Sequence, residues 1–313
     1  MSLWLIGAGP HAQEYAKVLV DLGVPFEVVG RGAGSAQAFE ANTCKSVITG
    51  GLGNALQTRT VPAAAIIAAS FEQLADTALA LINAGTKRIL LEKPGGITVA
   101  ELTNVTQAAR GHGTQVWVGY SRRFYASTKA ARAMIAEDGG PVSCNFEFTE
   151  WSHQIEPMPL PAEVKNAWVI ANSSHVIDLA FHLCGLPREW KGWHSGSMAW
   201  HKAAARYAGA GITDKDVMFS YHADWQAPGR WSVEVLTPKR RLIFRPMEQL
   251  QVTSLASVAV EKVLLDDELD IRFKPGLYRQ TQAFLSQDES HFCSVEAQLV
   301  HAKIYSEMAG YVV

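Results

Sequence analysis

At 313 residues the chain is too long for one small domain, and a prior of about 150 residues per domain suggests two. Its composition, 48% hydrophobic and 19% charged with a mean hydropathy of +0.01, is that of a globular protein with a sizeable core. A net charge of -2 and a pI near 6.6 supply no basic field to draw the protein onto nucleic acid or anionic lipid, so neither partner is expected.

The amino terminus runs into Leu3-Trp4-Leu5-Ile6 without a charged segment and long apolar stretch of the secretory kind. Up to about residue 120, strand-like and helix-like segments alternate as a doubly wound parallel sheet requires. Strands are predicted at Leu3–Ile6, Phe26–Val29, Ala64–Ala68, Arg88–Leu91 and Gln115–Gly119. Helices are predicted at Pro10–Leu22, Phe71–Ala84 and Thr98–Arg110, stopping at Gly23, Gly85 and Gly111. The apolar run Ala63–Ala69 is far too short to span a bilayer. After Arg122 the grammar changes. A helix at about Ala126–Ala136 leads through Gly139-Gly140-Pro141 to strands at Val142–Thr149, Val217–His222, Trp231–Leu236, Arg241–Phe244 and Leu250–Ser254. Their close spacing predicts a second domain of α+β type with an open, mainly antiparallel sheet, so the expected domains are 1–121 and 122–313.

Between the first strand and first helix stands Gly7-Ala8-Gly9-Pro10-His11-Ala12. The first glycine permits a tight turn, the second lets a pyrophosphate approach the backbone, and the small sixth residue lets helix and strand pack, with the helix amides facing the phosphates. Gly7, Gly9, Pro10, His11 and Ala12 are therefore cofactor-binding candidates. The second strand ends in Val28-Val29-Gly30-Arg31-Gly32-Ala33-Gly34-Ser35, where an NAD enzyme usually carries an acid for the ribose hydroxyls. Arg31 and Ser35 instead suit a 2′-phosphate, which favours NADP(H) over NAD(H). Ser70, after the third strand, and Glu92, at the end of the fourth, complete the cofactor set.

His175, Asp178 and His182 are spaced by three and four, so on a helix they share one face. Oxidising a secondary alcohol needs a base for the hydroxyl proton, and imidazole suits that near neutral pH. His182 is the predicted base, with Asp178 orienting it or binding a neighbouring hydroxyl. Lys93 follows a parallel strand, where such sheets bind ligands, and its ammonium suits a developing alkoxide. Of Arg122 and Arg123, either suits an anionic or hydroxyl-rich substrate or a structural ion pair. Seven tryptophans from Trp151 to Trp231 crowd the second half; they read as packing aromatics, with Trp168 alone placed near the site. Four cysteines, at 44, 144, 184 and 293, form no CxxC pair, and His153, His194, His201 and His222 have no metal-ligand spacing. No metal is expected, and a reducing cytoplasm fits best.

The ordered set Gly7-Ala8-Gly9-Pro10-His11-Ala12, Leu91-Glu92-Lys93-Pro94, Gly119-Tyr120-Ser121-Arg122-Arg123-Phe124 and His175-Val176-Ile177-Asp178-Leu179-Ala180-Phe181-His182 resembles the glucose-fructose oxidoreductase/inositol dehydrogenase (Gfo/Idh/MocA) family. The resemblance implies a Rossmann domain followed by an α+β domain whose open sheet forms a homodimer or homotetramer interface. It also implies that Lys93, Asp178 and His182 are the catalytic lysine, aspartate and histidine. The expected activity is hydride transfer between NAD(P) and a secondary alcohol or ketone of a polyol, sugar or sugar derivative. Tyr120, Arg122, Arg123, Trp168 and His175 join the catalytic three as substrate-binding candidates. The chain departs from the pattern at Ala69-Ser70-Phe71-Glu72-Gln73-Leu74, where many members have Thr-Pro-Asn-x-x-His, and at Asn172-Ser173-Ser174, where glycines are usual. Two other uses of the fold stay open: a redox-neutral NAD-assisted glycosidase, and a non-catalytic NAD(P)-sensing regulator, against which the retained lysine, aspartate and histidine argue.

Overall fold

The computed structural model describes residues 2–311, and the chain divides into two compact units. In the first, β1 (Leu3–Ile6), α1 (Pro10–Asp21), β2 (Glu27–Val29), α2 (Ala33–Thr43), β3 (Val47–Ile48), α3 (Gly51–Thr58), β4 (Ala64–Ile67), α4 (Leu74–Ala84), β5 (Arg88–Glu92), α5 (Val99–His112) and β6 (Gln115–Gly119) alternate. The strands pair in the order β3-β2-β1-β4-β5-β6, all parallel. Every residue of β1 and β4 is buried, as central strands covered by helices on both faces must be. The α5 helix opens on a capping box between Thr98 and Glu101 and closes at Gly113, two residues beyond the expected stop at Gly111. The expected helix from Phe71 begins as a single 3₁₀ turn, Phe71–Gln73, before α4. Sequence reasoning missed α2, β3 and α3. The α2 helix buries only Ala36 and Phe39, so it lacks the apolar period that would reveal it.

The second unit contains α6 (Ala126–Glu137), β7 (Ser143–Glu147), two short helices, α7 (Ser152–Ile155) and α8 (Ala162–Asn166), and then a π-helical turn, Val169–Ser173, that runs into α9 (Ser174–Cys184). Seven strands follow: β8 (Pro187–Ser195), β9 (Arg206–Thr213), β10 (Met218–Asp224), β11 (Ser232–Leu236), β12 (Arg240–Phe244), β13 (Gln251–Ser254) and β14 (Glu261–Lys262). They form an open sheet with β7, ordered β14-β13-β12-β11-β7-β10-β9-β8, antiparallel except where β7 meets β10. The α9 helix packs on β7 and β11, and Phe146, Phe181, Phe219 and Tyr221 fill the layer between helix and sheet. The long strands β8 and β9 escaped the sequence reading because β8 is largely exposed and β9 is broken up by Gly209 and Gly211.

A single boundary after residue 121 does not describe the chain, because Leu269–Val300 returns to the first unit. After α10 (Glu268–Arg272), helix α11 (Leu277–Ser286) packs against α1, and Leu277 and Phe284 enter that unit's core. The short β15 (Cys293–Ser294) then pairs antiparallel with β6, covering an edge, and α12 (Val295–Ala309) follows. Among the described residues no helix is long and apolar enough to cross a membrane.

Candidate functional site

The chain leaves β1 at Gly7, whose φ of +122° and a Cβ position 2.3 Å from the Ala68 carbonyl oxygen admit only glycine. Helix α1 then starts at Pro10 with Gly9 as its N-cap and no side chain capping its first turn, so its free amides are available to an anion. A Cβ on Gly9 would meet nothing within 4 Å. This turn forms one wall of a cavity of about 560 Å³ whose other walls are the ends of β2 and β4, Ser35 and Gln73. It lies beside β1 and β4, where the strand order reverses and open α/β sheets bind their ligands. Volume, bare backbone and free amides together fit the adenosine and pyrophosphate of a dinucleotide.

At the rim, a Cβ on Gly30 would meet Val47 Cγ1 at 2.8 Å and Ala8 Cβ at 3.1 Å, which closes to any side chain the place of the usual ribose-binding acid. Arg31 and Ser35 both line the cavity. With its amide oriented to satisfy the network, Gln73 accepts hydrogen bonds from both terminal nitrogens of Arg31. Ser35 Oγ donates to the Gly32 carbonyl at 3.0 Å, and Ser70 Oγ, on the opposite wall, donates to Glu72 at 2.6 Å.

His11 and Glu92, expected to touch the cofactor, are instead engaged with each other. Glu92 Oε1 lies 2.9 Å from His11 Nε2 and accepts from the Tyr15 hydroxyl at 2.5 Å; Tyr15 in turn accepts from Gln280 at 2.8 Å, and Lys274 Nζ reaches His11 Nδ1 at 3.1 Å. Burial alone would raise the Glu92 carboxyl, but His11, Tyr15 and Lys274 together hold it below its ordinary value. The result is a buried polar knot that fastens the returning segment to α1 and β5. Pro10 and Ala12 shape the turn, with Ala12 fully buried. Lys93, next after β5, is half-buried with its ammonium 4.9 Å from the centroid of the Phe71 ring. Tyr120, expected at the substrate, is buried in the first unit with Val118 and Cys293.

In the second unit, His175, Asp178 and His182 do lie on one helix, α9, and the π-helical turn before it is a feature enriched at functional sites. The Asp178 carboxylate turns to Arg123 rather than to His182. Its Oδ2 accepts from Arg123 Nε at 2.8 Å and its Oδ1 from Arg123 Nη2 at 2.6 Å, a fork-to-fork pair in which both side chains are buried. Arg123 is thereby committed to Asp178 rather than to a substrate. His301 Nδ1 lies 3.7 Å from the same carboxylate; burial pushes this imidazole down to about 4, with Asp178 opposing and Arg123 reinforcing the shift. His182 has Arg132 as its neighbour, with Nη1 at 3.4 Å from Nε2. A guanidinium only donates, so in this contact Nε2 is the acceptor. Trp168 belongs to the aromatic core, edge-on to Trp200 at 6.0 Å and 5% exposed, so its ring is occupied by packing rather than presented to a ligand.

A second cluster nearby joins the expected Arg122 and His175 to Glu150, Arg230 and Trp231, which were not expected at the site. The guanidinium of Arg122 lies 4.8 Å, and that of Arg230 4.4 Å, from the centroid of the Trp231 ring. The His175 ring is 6.0 Å from Trp231. Glu150, buried, meets Arg230 at 3.3 Å and accepts from Ser173 at 2.7 Å and Asn172 at 3.1 Å. Burial raises the Glu150 carboxyl although each of these partners opposes the rise, and burial lowers the Arg122 guanidinium. The adjacency of Arg230 and Trp231 was the one local signal available.

Residues 1–120 match the model of the GFO_IDH_MocA group, described as an oxidoreductase family with an NAD-binding Rossmann fold. Among curated proteins no sequence matches the chain. Solved structures of similar fold include UDP-N-acetylglucosamine 3-dehydrogenase GnnA from Acidithiobacillus ferrooxidans, 16% identical with a TM-score of 0.75, covering 98% of this chain and 96% of that one. Levoglucosan dehydrogenase in complex with NADH and levoglucosan is also 16% identical, with a TM-score of 0.77 and the same coverage of 98% and 96%. A putative NADPH-dependent oxidoreductase from Desulfitobacterium hafniense is 15% identical with a TM-score of 0.78, covering 98% and 94%. The fold is thus shared along nearly the whole chain, and its first 120 residues match the NAD-binding Rossmann fold of the Gfo/Idh/MocA oxidoreductase family.

Proposed function

We propose that the protein is a nicotinamide-dependent oxidoreductase that moves a hydride between NAD(P) and the secondary alcohol or ketone of a polyol, sugar or sugar derivative. The observation that carries this reading is the glycine-walled cavity at the reversal of strand order, on a domain of an NAD-binding family. The first unit holds the dinucleotide and the second the substrate. The nicotinamide, when bound, supplies the hydride acceptor or donor. His182 takes the hydroxyl proton as general base. The Lys93 ammonium stabilises negative charge as it develops on the substrate oxygen. Asp178, locked to Arg123, positions α9 and with it His182. Levoglucosan and UDP-N-acetylglucosamine, named for two proteins of this fold, are both rich in hydroxyls, which supports the sugar class.

NADP(H) is the favoured cofactor, since Gly30 offers no acid to the ribose and Arg31 a cation to a 2′-phosphate. The second unit's sheet, with Trp193 and Met218 exposed, is the face we assign to a homodimer or homotetramer contact in a cytoplasmic protein. A screen of polyols and sugars with NADP⁺ and NAD⁺, run on wild type and Lys93→Met, tests the reading. Cofactor reduction by at least one hydroxylated substrate, lost in Lys93→Met at an unchanged melting temperature, is expected. Product formation without any added cofactor would point to the glycosidase use of the fold instead.

A further inference from the structure

We propose that Arg122 and Arg230, on either hand of Trp231 in the second unit, form a subsite for an anionic group carried by the substrate, making the substrate a sugar carboxylate or sugar phosphate. The inference rests on the reading that this unit holds the substrate, and it narrows the class.

The Arg122 side chain is only partly accessible, and its Nε is shut off from solvent without a hydrogen-bond partner. Among the described residues no carboxylate comes within 4.0 Å of it, and Glu248 and Glu150 act on it only from further away; the rings beside it are Tyr125, at 5.8 Å, and Trp231. A guanidinium largely withdrawn from water without a direct ion pair is costly, and in a cleft such a group marks a candidate ligand site. Arg230 adds a second cation against the same indole, an arrangement in which the two charges repel unless an anion joins them. Glu150 is not that anion for Arg122. It is engaged by Arg230, Ser173 and Asn172, and this holds Arg230 in place from behind. Two guanidiniums held against one indole suit a planar carboxylate or a phosphate, both of which take forked hydrogen bonds. A neutral polyol would leave Arg122 as it stands.

The placement also orients the substrate. His175, beside Trp231, and His182 share a face of α9 seven residues apart, a separation on the order of 10 Å along the helix. An anionic tail at the Trp231 end therefore leaves the reacting carbinol at the His182 end, with the ring of one sugar spanning the interval.

The test is a titration of the cofactor-saturated protein with D-glucuronate, D-glucose 6-phosphate and D-glucose, followed by calorimetry, on wild type, Arg122→Met and Arg230→Met. One of the two charged ligands should bind about tenfold or more tightly than glucose, and the advantage should vanish in both variants. Which of the two binds tells carboxylate from phosphate. Charged ligands that bind no better than glucose, or an advantage that survives both substitutions, would overturn the proposal. Melting curves of the unliganded proteins give a second readout. Arg122→Met should hold or raise the melting temperature by removing an unpaired charge, whereas a fall would make Arg122 a structural support and refute the subsite. Because these measurements read binding, they separate from the hydride assay: a preference for charged sugars without turnover would keep the subsite and remove the oxidoreductase reading, and turnover of neutral polyols without that preference would do the reverse.

Discussion

The cavity of the first unit is walled by Gly7, Gly9, Gly30 and Gly32 and by the ends of three parallel strands, with Arg31 and Asp76 the charged residues on its lining. Around α9 of the second unit the reverse holds, with the side chains of Arg122, Arg123, Arg132, Arg230, Asp178 and Glu150 supplying charge. A surface of amides and glycines recognises what every user of a dinucleotide shares, a pyrophosphate and a ribose, and tolerates little change. A surface of paired side chains can be re-paired by a few substitutions, and this is where one fold acquires different substrates.

The largest expected effect tests the backbone half. Gly7→Ala drives a methyl into the Ala68 carbonyl at a φ that alanine rarely adopts, so dinucleotide binding should fall below detection by fluorescence titration. Retained micromolar affinity would show that side chains, not the turn, carry cofactor recognition. Next come two residues of one helix face with opposite signatures. His182→Ala should lower turnover on the order of 10²-fold at an unchanged melting temperature, as fits a proton acceptor. Asp178→Asn should lower turnover as well, but through folding: it removes the carboxylate charge that faces the buried Arg123, at a cost of about 3–5 kcal/mol in a denaturant titration. Identical melting temperatures for the two variants would dissolve the distinction between proton transfer and positioning.

A third prediction concerns acid. His301 is held at about 4 in the fold against 6.5 in the unfolded chain, so the unfolded state gains its proton first. The stability tied to neutral His301 is complete above pH 6.5 and is lost as the pH falls from there towards about 4. Between pH 7 and 5 that amounts to roughly 2 kcal/mol, and His301→Gln should flatten this part of the melting-temperature profile. Parallel profiles in the two proteins would remove His301 as its source. The smallest effect returns to the first unit. Arg31→Ala should weaken NADPH by about tenfold, the scale of one charge-assisted contact, and leave NADH nearly untouched. Equal wild-type affinity for the two cofactors would overturn the NADP(H) preference.

The same contrast explains what could be read in advance. The glycine turn, β1, β6 and the shared face of His175, Asp178 and His182 are local patterns with a fixed period or a fixed dihedral, and the structure places them where the residues suggested. The partners of those residues were not legible. Arg123 meets Asp178 across 55 positions, Arg230 meets Glu150 across 80, and Tyr15 meets Gln280 across 265. Such pairs depend on which elements the tertiary fold brings together, so a motif names a residue's type and face but not its counter-charge. Trp168 and Tyr120 are both buried, and an aromatic near a motif reads the same in sequence whether it faces a ligand or a core.

The return of Leu269–Val300 to the first unit has a consequence for how the protein is made. On the ribosome, Leu277, Phe284 and the β15 strand that covers β6 emerge only after the strands β7 to β14 of the second unit, long after the stretch up to Ser121. The Rossmann unit therefore cannot complete its core while it is the only part of the chain outside the exit tunnel, and the usual amino-terminal-first order of domain folding is deferred. During that interval an uncovered strand edge and an apolar face of α1 are open to chaperones. A minimal cofactor-binding fragment would have to splice residues 269–300 onto residues 1–121 rather than end where the first motif set ends.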